Sequence, residues 1–275
     1  MSCNPAKPLK TYYPSTLYTD AVTRNLEITR DGVAGSAKGK PVMLTKAGLA
    51  VIDRGTSNWQ VRSDQATRLV QEQARVPNHS VVQAQWLSTF DAMKHKIKVK
   101  SGSDGNFFGG MGALLVPDGF SIATDTATTD NVRYYGLSLI KNNDSFKVIS
   151  EQADIFLMEY DYTADYKDDF LMQVSGGGGL FVETHNFPHI HIPMDENCGG
   201  YIVIGKKVSE EEFHFTAFQI PHGYALYTPA NTIHGDGTLV GNYAIALADS
   251  SAVSADTVLM YNQNTKTMAK NIVPN

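Results

Sequence analysis

The sequence predicts a mainly β protein of sandwich, barrel or jelly-roll kind, with an N-terminal extension containing two helices. Three observations predict it. From Ala113 onward, short runs of strand-forming residues alternate with Gly, Asn and Asp turns. Helical periodicity is confined to residues 64–96. Six of the eight histidines fall between His185 and His234, which places the metal-type chemistry in the β-rich half.

The elements follow in chain order. Residues 1–40 are rich in Pro, Gly, Thr and Lys and read as irregular, and Gly48–Arg54 reads as a short strand. A helix over Asp64–Arg75 starts behind Ser63, a good N-cap, and stops at Val76 before Pro77. A second helix is expected over Ser80–Lys96, where Val82, Trp86, Phe90, Met93 and Ile97 recur every three or four residues as a core-facing stripe. Ser101–Gly112 is a glycine-rich connection. Strands are expected near Ala113–Pro117, Tyr134–Ile140, Phe146–Ser150, Ile155–Tyr160, Leu180–His185, His189–Ile192, Tyr201–Gly205, His214–Ile220, Ala225–Tyr227, Tyr243–Ala248 and Val258–Tyr261. The run Gly176–Gly179 is a turn, since no Lys-Ser/Thr follows it as a phosphate loop requires. The chain divides into an accessory region, 1–110, and a β domain, 111–275.

Composition excludes several partners. The net charge of −5 is spread along the chain without a basic run, so no nucleic-acid partner is expected. No stretch reaches the ~18–20 apolar residues of a membrane span. The two cysteines, Cys3 and Cys198, do not make a disulfide framework, and Met1–Tyr13 has no apolar run of a secretory signal. A cytoplasmic protein acting on a small molecule is the expectation.

The densest cluster is ETHNFPHIHIPMDE, Glu183 to Glu196. Residues two apart on a strand share a face, so His189 and His191 point one way and Ile190 and Ile192 the other. Two such imidazoles can chelate one ion, and a carboxylate reaching back after a short loop can complete the set: Glu196, or Asp195 as the fallback. The second cluster is Gly223–His234. Its glycine opens a strand, Pro229 ends it, and Asn231 sits where the turn requires a positive φ. The turn delivers His234 to the next strand.

These two clusters resemble the cupin superfamily. Its second motif, G-x5-P-x-G-x2-H-x3-N, matches from Gly223 to His234 with Asn231 in place of the second glycine and Thr238 in place of the closing Asn. Its first motif, G-x5-H-x-H-x3,4-E-x6-G, has its H-x-H-x4-E core at His189, His191 and Glu196. Glu183 stands where the motif's first glycine is expected, and Gly205 lies nine residues after Glu196, as if a short insertion occupied Asn197–Gly200. The resemblance implies a jelly-roll β-barrel open at one end. It also implies one divalent ion (Fe, Mn, Ni or Zn) held by His189, His191, Glu196 and His234. Members of the superfamily are frequently dimers, so a homodimer is implied as well. His185, six residues after Gly179 and of the same strand parity as His189, is a further ligand or a supporting group. Glu183 and His185 are the candidate proton-transfer residues by position. The implied activity is Fe- or Mn-dependent oxygenation of a small organic acid or enol. The alternatives are metal-dependent isomerisation, epimerisation or lysis of a sugar or acid, and a non-catalytic cupin that only binds its ligand. His214, in the alternating run EFHFTAF, reads as structural or exposed, and Cys198 as a buried, unreactive thiol.

Overall fold

The computed structural model describes residues 10–11, 29–52, 55–60, 76–98, 100, 111–248 and 253–274. The described strands are β1 (Lys10–Thr11), β2 (Thr29–Asp31), β3 (Pro41–Ile52), β4 (Gly55–Gln60), β5 (Ser80–Gln83), β6 (Gln85–Leu87), β7 (Gly112–Val116), β8 (Ala123–Thr126), β9 (Ser138–Lys141), β10 (Ser145–Ser150), β11 (Ile155–Tyr162), β12 (Phe181–His185), β13 (His189–Pro193), β14 (Gly199–Lys207), β15 (Glu212–Gln219), β16 (Tyr224–Thr228), β17 (Ile233–Ala248) and β18 (Ala255–Asn262). One short helix, α1 (Thr89–Lys94), a 3-10 turn at Asn131–Tyr135 and a π-helical turn at Lys167–Leu171 join them. No helix among the described residues is long and apolar enough to cross a membrane.

The protein is mainly β. The first sheet runs β2-β3-β11-β17-β13-β16-β9. The second runs β6-β7-β18-β12-β17-β14-β15, with β5 and β8 both along β15. Strand β17 belongs to both. Its first half pairs with β12 and β14, and from Gly241 onward it pairs with β11 and then β13. Gly241 makes the corner at φ 98°, a conformation that side chains disfavour. The two ends of the path, β2 and β6, do not pair, so the sheet stays open among the described residues.

Alternation decides which residues fill which core. On β11, Met158, Tyr160 and Tyr162 face the core between the two sheets, while Ile155 and Leu157 face outward. On β13, Ile190 and Ile192 join that outer cluster, which also takes in Val148 of β10. Strand β10 lies on β4 in a separate small sheet with β1. All five residues of β13 are therefore buried, the histidines on one face and the isoleucines on the other.

Two expected elements come out differently. The expected helix over Ser80–Lys96 is two short strands followed by α1. Val82 is buried while Val81 is 55% exposed, an alternation of period two, because β5 pairs with β15 and β6 with β7. The helix starts only at Ser88, whose Oγ accepts the Asp91 N–H at 3.1 Å. Phe90 and Met93 of the expected stripe are 67% and 61% exposed. The expected strand Tyr134–Ile140 begins only at Ser138. Thr128 and Asn131 exchange side chain–backbone hydrogen bonds of 2.8 and 3.1 Å, and Gly136 at φ 80° closes the resulting 3-10 turn. The expected helix Asp64–Arg75 lies outside the described residues.

Candidate metal centre

Three strands converge on one buried group of imidazoles. Among the described residues, His185, His189 and His234 form the single group whose ligand atoms all lie within 4.8 Å of one another. His185 ends β12, His189 opens β13 and His234 is the second residue of β17. Their ring centroids are 4.5 Å (His185–His189), 4.7 Å (His185–His234) and 4.7 Å (His189–His234) apart. Asn231 adopts φ 64°, and its N–H donates to the His185 carbonyl at 2.7 Å, which ties the β16–β17 turn to the end of β12.

The hydrogen bonds aim these rings. His185 Nδ1 lies 2.8 Å from the Phe187 carbonyl and His234 Nδ1 lies 2.9 Å from the Thr232 carbonyl. A carbonyl only accepts, so each Nδ1 carries the proton and each Nε2 keeps a bare lone pair. Neither Nε2 has a hydrogen-bond partner, nor does Nδ1 of His189. Burial, joined by the neighbouring imidazoles, pushes His185 down to about 2 and His189 well below the ordinary value. Burial also takes His234 down to about 4. Neutral rings with unshared, buried nitrogens are what a borderline divalent ion requires, and the donor set fits one.

The remaining site residues occupy distinct places. His191 is fully buried beside His189, with ring centroids 5.0 Å apart, and its Nε2 lies 3.8 Å from Asp236 Oδ2. Neither nitrogen of His191 is hydrogen-bonded. Glu183 faces His234 across the β12–β17 pair, its Oε1 3.8 Å from His234 Nε2, and Thr257 Oγ1 donates to its Oε2 at 2.9 Å. Burial, reinforced by Asp236, raises the Glu183 carboxyl to about 7. Glu196 is exposed on the turn before β14, outside the group of three, and Asp195 accepts the Asn197 N–H of that turn at 2.8 Å. The extra residues before Gly205 are taken up by this turn and by a bulge at Tyr201–Val203.

Several residues of the chamber carried no flag in the sequence. A cavity of about 40 Å³ is lined by Arg30, Tyr160, Tyr162, Glu183, His189 and Asp236, with Met43, Phe181, Ile245 and Leu247 as its apolar walls. Tyr162 donates to Asp236 Oδ2 at 3.2 Å. Burial alone would raise the Asp236 carboxyl, but His191, His234 and Arg30 outweigh it and hold the group below its usual range. Asp236 was within reach of the sequence, since it lies two residues after His234 on the same strand face. Arg30 had no local signal. Wider surface hollows of about 560–570 Å³ lie elsewhere, one along Met268–Pro274 and one beside Trp86 and Asp256. Set against family models, curated protein sequences and solved structures, the chain matches none of them.

Proposed function

We propose that this chain is a metal-dependent enzyme of the cupin kind, acting on a small organic molecule with His185, His189 and His234 as ligands of one divalent ion. The observation that carries the reading is the convergence of these imidazoles within 4.8 Å, with the Nε2 atoms of His185 and His234 left unpartnered. Fe or Mn is the expected ion, and when bound it supplies a Lewis-acid or oxygen-activating centre with coordination positions left for substrate. Oxygenation of the substrate is the primary reading.

The chain's own residues supply the rest. The carbonyls of Phe187 and Thr232 hold His185 and His234 in the ligating tautomer. The apolar walls at Met43, Phe181, Ile245 and Leu247 keep bulk water from the chamber. Glu183, held by Thr257 beside His234, is placed to take or give a proton at Oε1. That residue favours a second reading, redox-neutral isomerisation or lysis, in which proton transfer is the reaction itself.

Metal analysis of purified protein with oxygen-uptake assays on small acids and enols tests both. Iron or manganese with substrate-dependent oxygen uptake is the expected result. Stoichiometric metal and turnover without oxygen uptake would move the assignment to the second reading. Protein that takes up no divalent metal would overturn both.

A further inference from the structure

We propose that Thr228 is a positioning residue of the metal centre: its hydroxyl accepts the Nδ1–H of His189 and so holds that ring with Nε2 toward the ion. This deepens the metal-dependent reading and rests on it.

Two of the three imidazoles have such a partner in place. Nδ1–H of His185 and of His234 donates to the carbonyls of Phe187 and Thr232, while Nδ1 of His189 is buried with no partner. A ligating histidine almost always donates its other ring N–H to an acceptor, which fixes the tautomer and the orientation of the ring. The third acceptor is the one that the centre lacks.

Strand register supplies it. Thr228, the last residue of β16, stands directly across from His189. Side chains directly opposite on an antiparallel pair have Cβ atoms about 4.5–5.5 Å apart. Alternation sets both residues on one face. Tyr224 and Leu226 of β16 pack into the core between the sheets, whereas Ala225 and Tyr227 pack into the outer cluster. Thr228 has the parity of Leu226, as His189 has that of His191. Thr228 is fully buried, and its Oγ1 has no hydrogen-bond partner. Two buried, unpartnered polar atoms of complementary kind therefore face inward at one register position. Leaving either alone is costly, and pairing them removes both costs. A hydroxyl accepts from an imidazole N–H as a carbonyl does.

Other partners fit less well on both sides. The His189 ring lines the small cavity of the chamber and Thr228 does not, so the hydroxyl serves the ring and not the substrate. Phe187 and His191 stack against the ring with centroids 5.3 and 5.0 Å away, which leaves its edges for polar contacts. His185 and His234 come to those edges from the second sheet, whereas Thr228 is the neighbour within the first.

Zinc titration of the full-length protein in competition with a chelator tests the proposal on Thr228→Val, which keeps the shape and removes the hydroxyl, and on Thr228→Ser, which keeps the hydroxyl. Thr228→Val should weaken zinc binding by about tenfold or more, and Thr228→Ser by less than about threefold. Without metal, Thr228→Val should be at least as stable to urea as the wild type, since it removes an unpartnered polar atom. Unchanged zinc affinity in Thr228→Val, a Thr228→Ser protein as weak as Thr228→Val, or a loss of stability in metal-free Thr228→Val overturns it. If Thr228→Val does not fold, crystals of the zinc-loaded wild type decide. Thr228 Oγ1 within hydrogen-bond distance of His189 Nδ1 supports the proposal, and Oγ1 unpartnered or against a zinc-bound oxygen overturns it. Full zinc occupancy in the wild type with unchanged affinity in Thr228→Val would sink this proposal alone. A wild type that takes up no divalent metal would sink the metal reading, and this proposal with it.

Discussion

Two sets of imidazoles in this molecule are packed equally closely and differ in what their nitrogens touch. His79 and His214 stack with centroids 4.9 Å apart at the flank of β15. His79 Nδ1 lies 2.9 Å from the Pro77 carbonyl, His214 Nδ1 lies 2.5 Å from the Tyr134 hydroxyl, and His214 Nε2 lies 3.3 Å from Glu212. In the chamber, carbonyls occupy Nδ1 of His185 and His234 and leave both Nε2 atoms bare. Leaving a buried polar atom without a partner costs about 1–3 kcal/mol, so such atoms persist where function offsets the cost. Proximity of histidines therefore does not by itself make a group that could hold an ion; His185, His189 and His234 add to it convergent nitrogens that no protein group occupies. A bare nitrogen without convergence is not enough either. His222 lacks partners on both ring nitrogens, yet it joins no metal-type group among the described residues.

The largest expected effect separates the two sets directly. His185→Ala, His189→Ala and His234→Ala should each lose stoichiometric metal and all turnover. They should also lose the stabilisation that metal confers, about 2.7 kcal/mol at a hundredfold excess over Kd. His214→Ala should keep the metal, and so should Glu196→Ala, whose side chain is exposed. Elemental analysis of the five variants checks this, and a folded His185→Ala protein with full metal content would dissolve the contrast.

Acid should act next most strongly on the metal-free protein. The three chamber histidines have depressed values in the fold, so below about pH 6.5 the unfolded chain takes up protons that the folded chain does not. Stability is then lost as pH falls. Glu183 acts the other way: it stays protonated in the fold up to about 7, so its contribution is present below the ordinary carboxyl value and lost as pH rises through 7. Between about pH 6.5 and 4.5 the balance is three protons against one, a loss of up to about 2.7 kcal/mol per pH unit. Urea titrations across pH should show a maximum near 6.5–7 and a steep acid limb that bound metal flattens. Stability that rises from pH 6.5 to 5 would mean that all three imidazoles are already charged in the fold, and a flat profile would mean that only one of them is kept neutral, its proton cancelling that of Glu183.

What was legible in the sequence follows the range of the forces involved. Strand alternation is local, so the parity that sets His189 and His191 against Ile190 and Ile192 could be read directly. The positive φ at Asn231 is also local, and the structure has it at 64°. The carboxylate was not legible, because whether Glu196 turns inward depends on how the residues before β14 are spent. Arg30 depends on a clamp of the segment after β2 to Asp169, whose carbonyl accepts the Val33 N–H, more than a hundred residues away. At Ser80–Lys96, Val82 and Trp86 happened to fall at helical spacing, and pairing with β15 and β7 overrode it. The turn offers a test of intermediate size. Asn231→Gly should leave metal binding unchanged. Asn231→Val should cost about 1–3 kcal/mol and lower metal occupancy by misplacing both His234 and the His185 carbonyl contact.

The smallest effect is expected at Trp86, which lies far from the imidazoles in function though not in the sheet. Trp86 is half-buried on β6, its ring stacked 6.2 Å from Phe213 and its Nε1 donating to Asp256 Oδ2 at 2.8 Å. A fully buried tryptophan truncated to alanine costs about 3–5 kcal/mol. Only part of this side chain is removed from water, and its hydrogen bond is exposed, so Trp86→Ala should cost about 2 kcal/mol. Strand β6 pairs with β7 by backbone bonds that the substitution leaves in place. Two strands, β7 and β18, lie between β6 and β12 in the sheet, so Glu183 and His185 should not move. Metal content per folded molecule should match the wild type while the denaturation midpoint falls. A folded Trp86→Ala protein that loses its metal would show that this edge of the sheet holds the imidazoles in place, and the separation between packing residues and ligating residues would fail there.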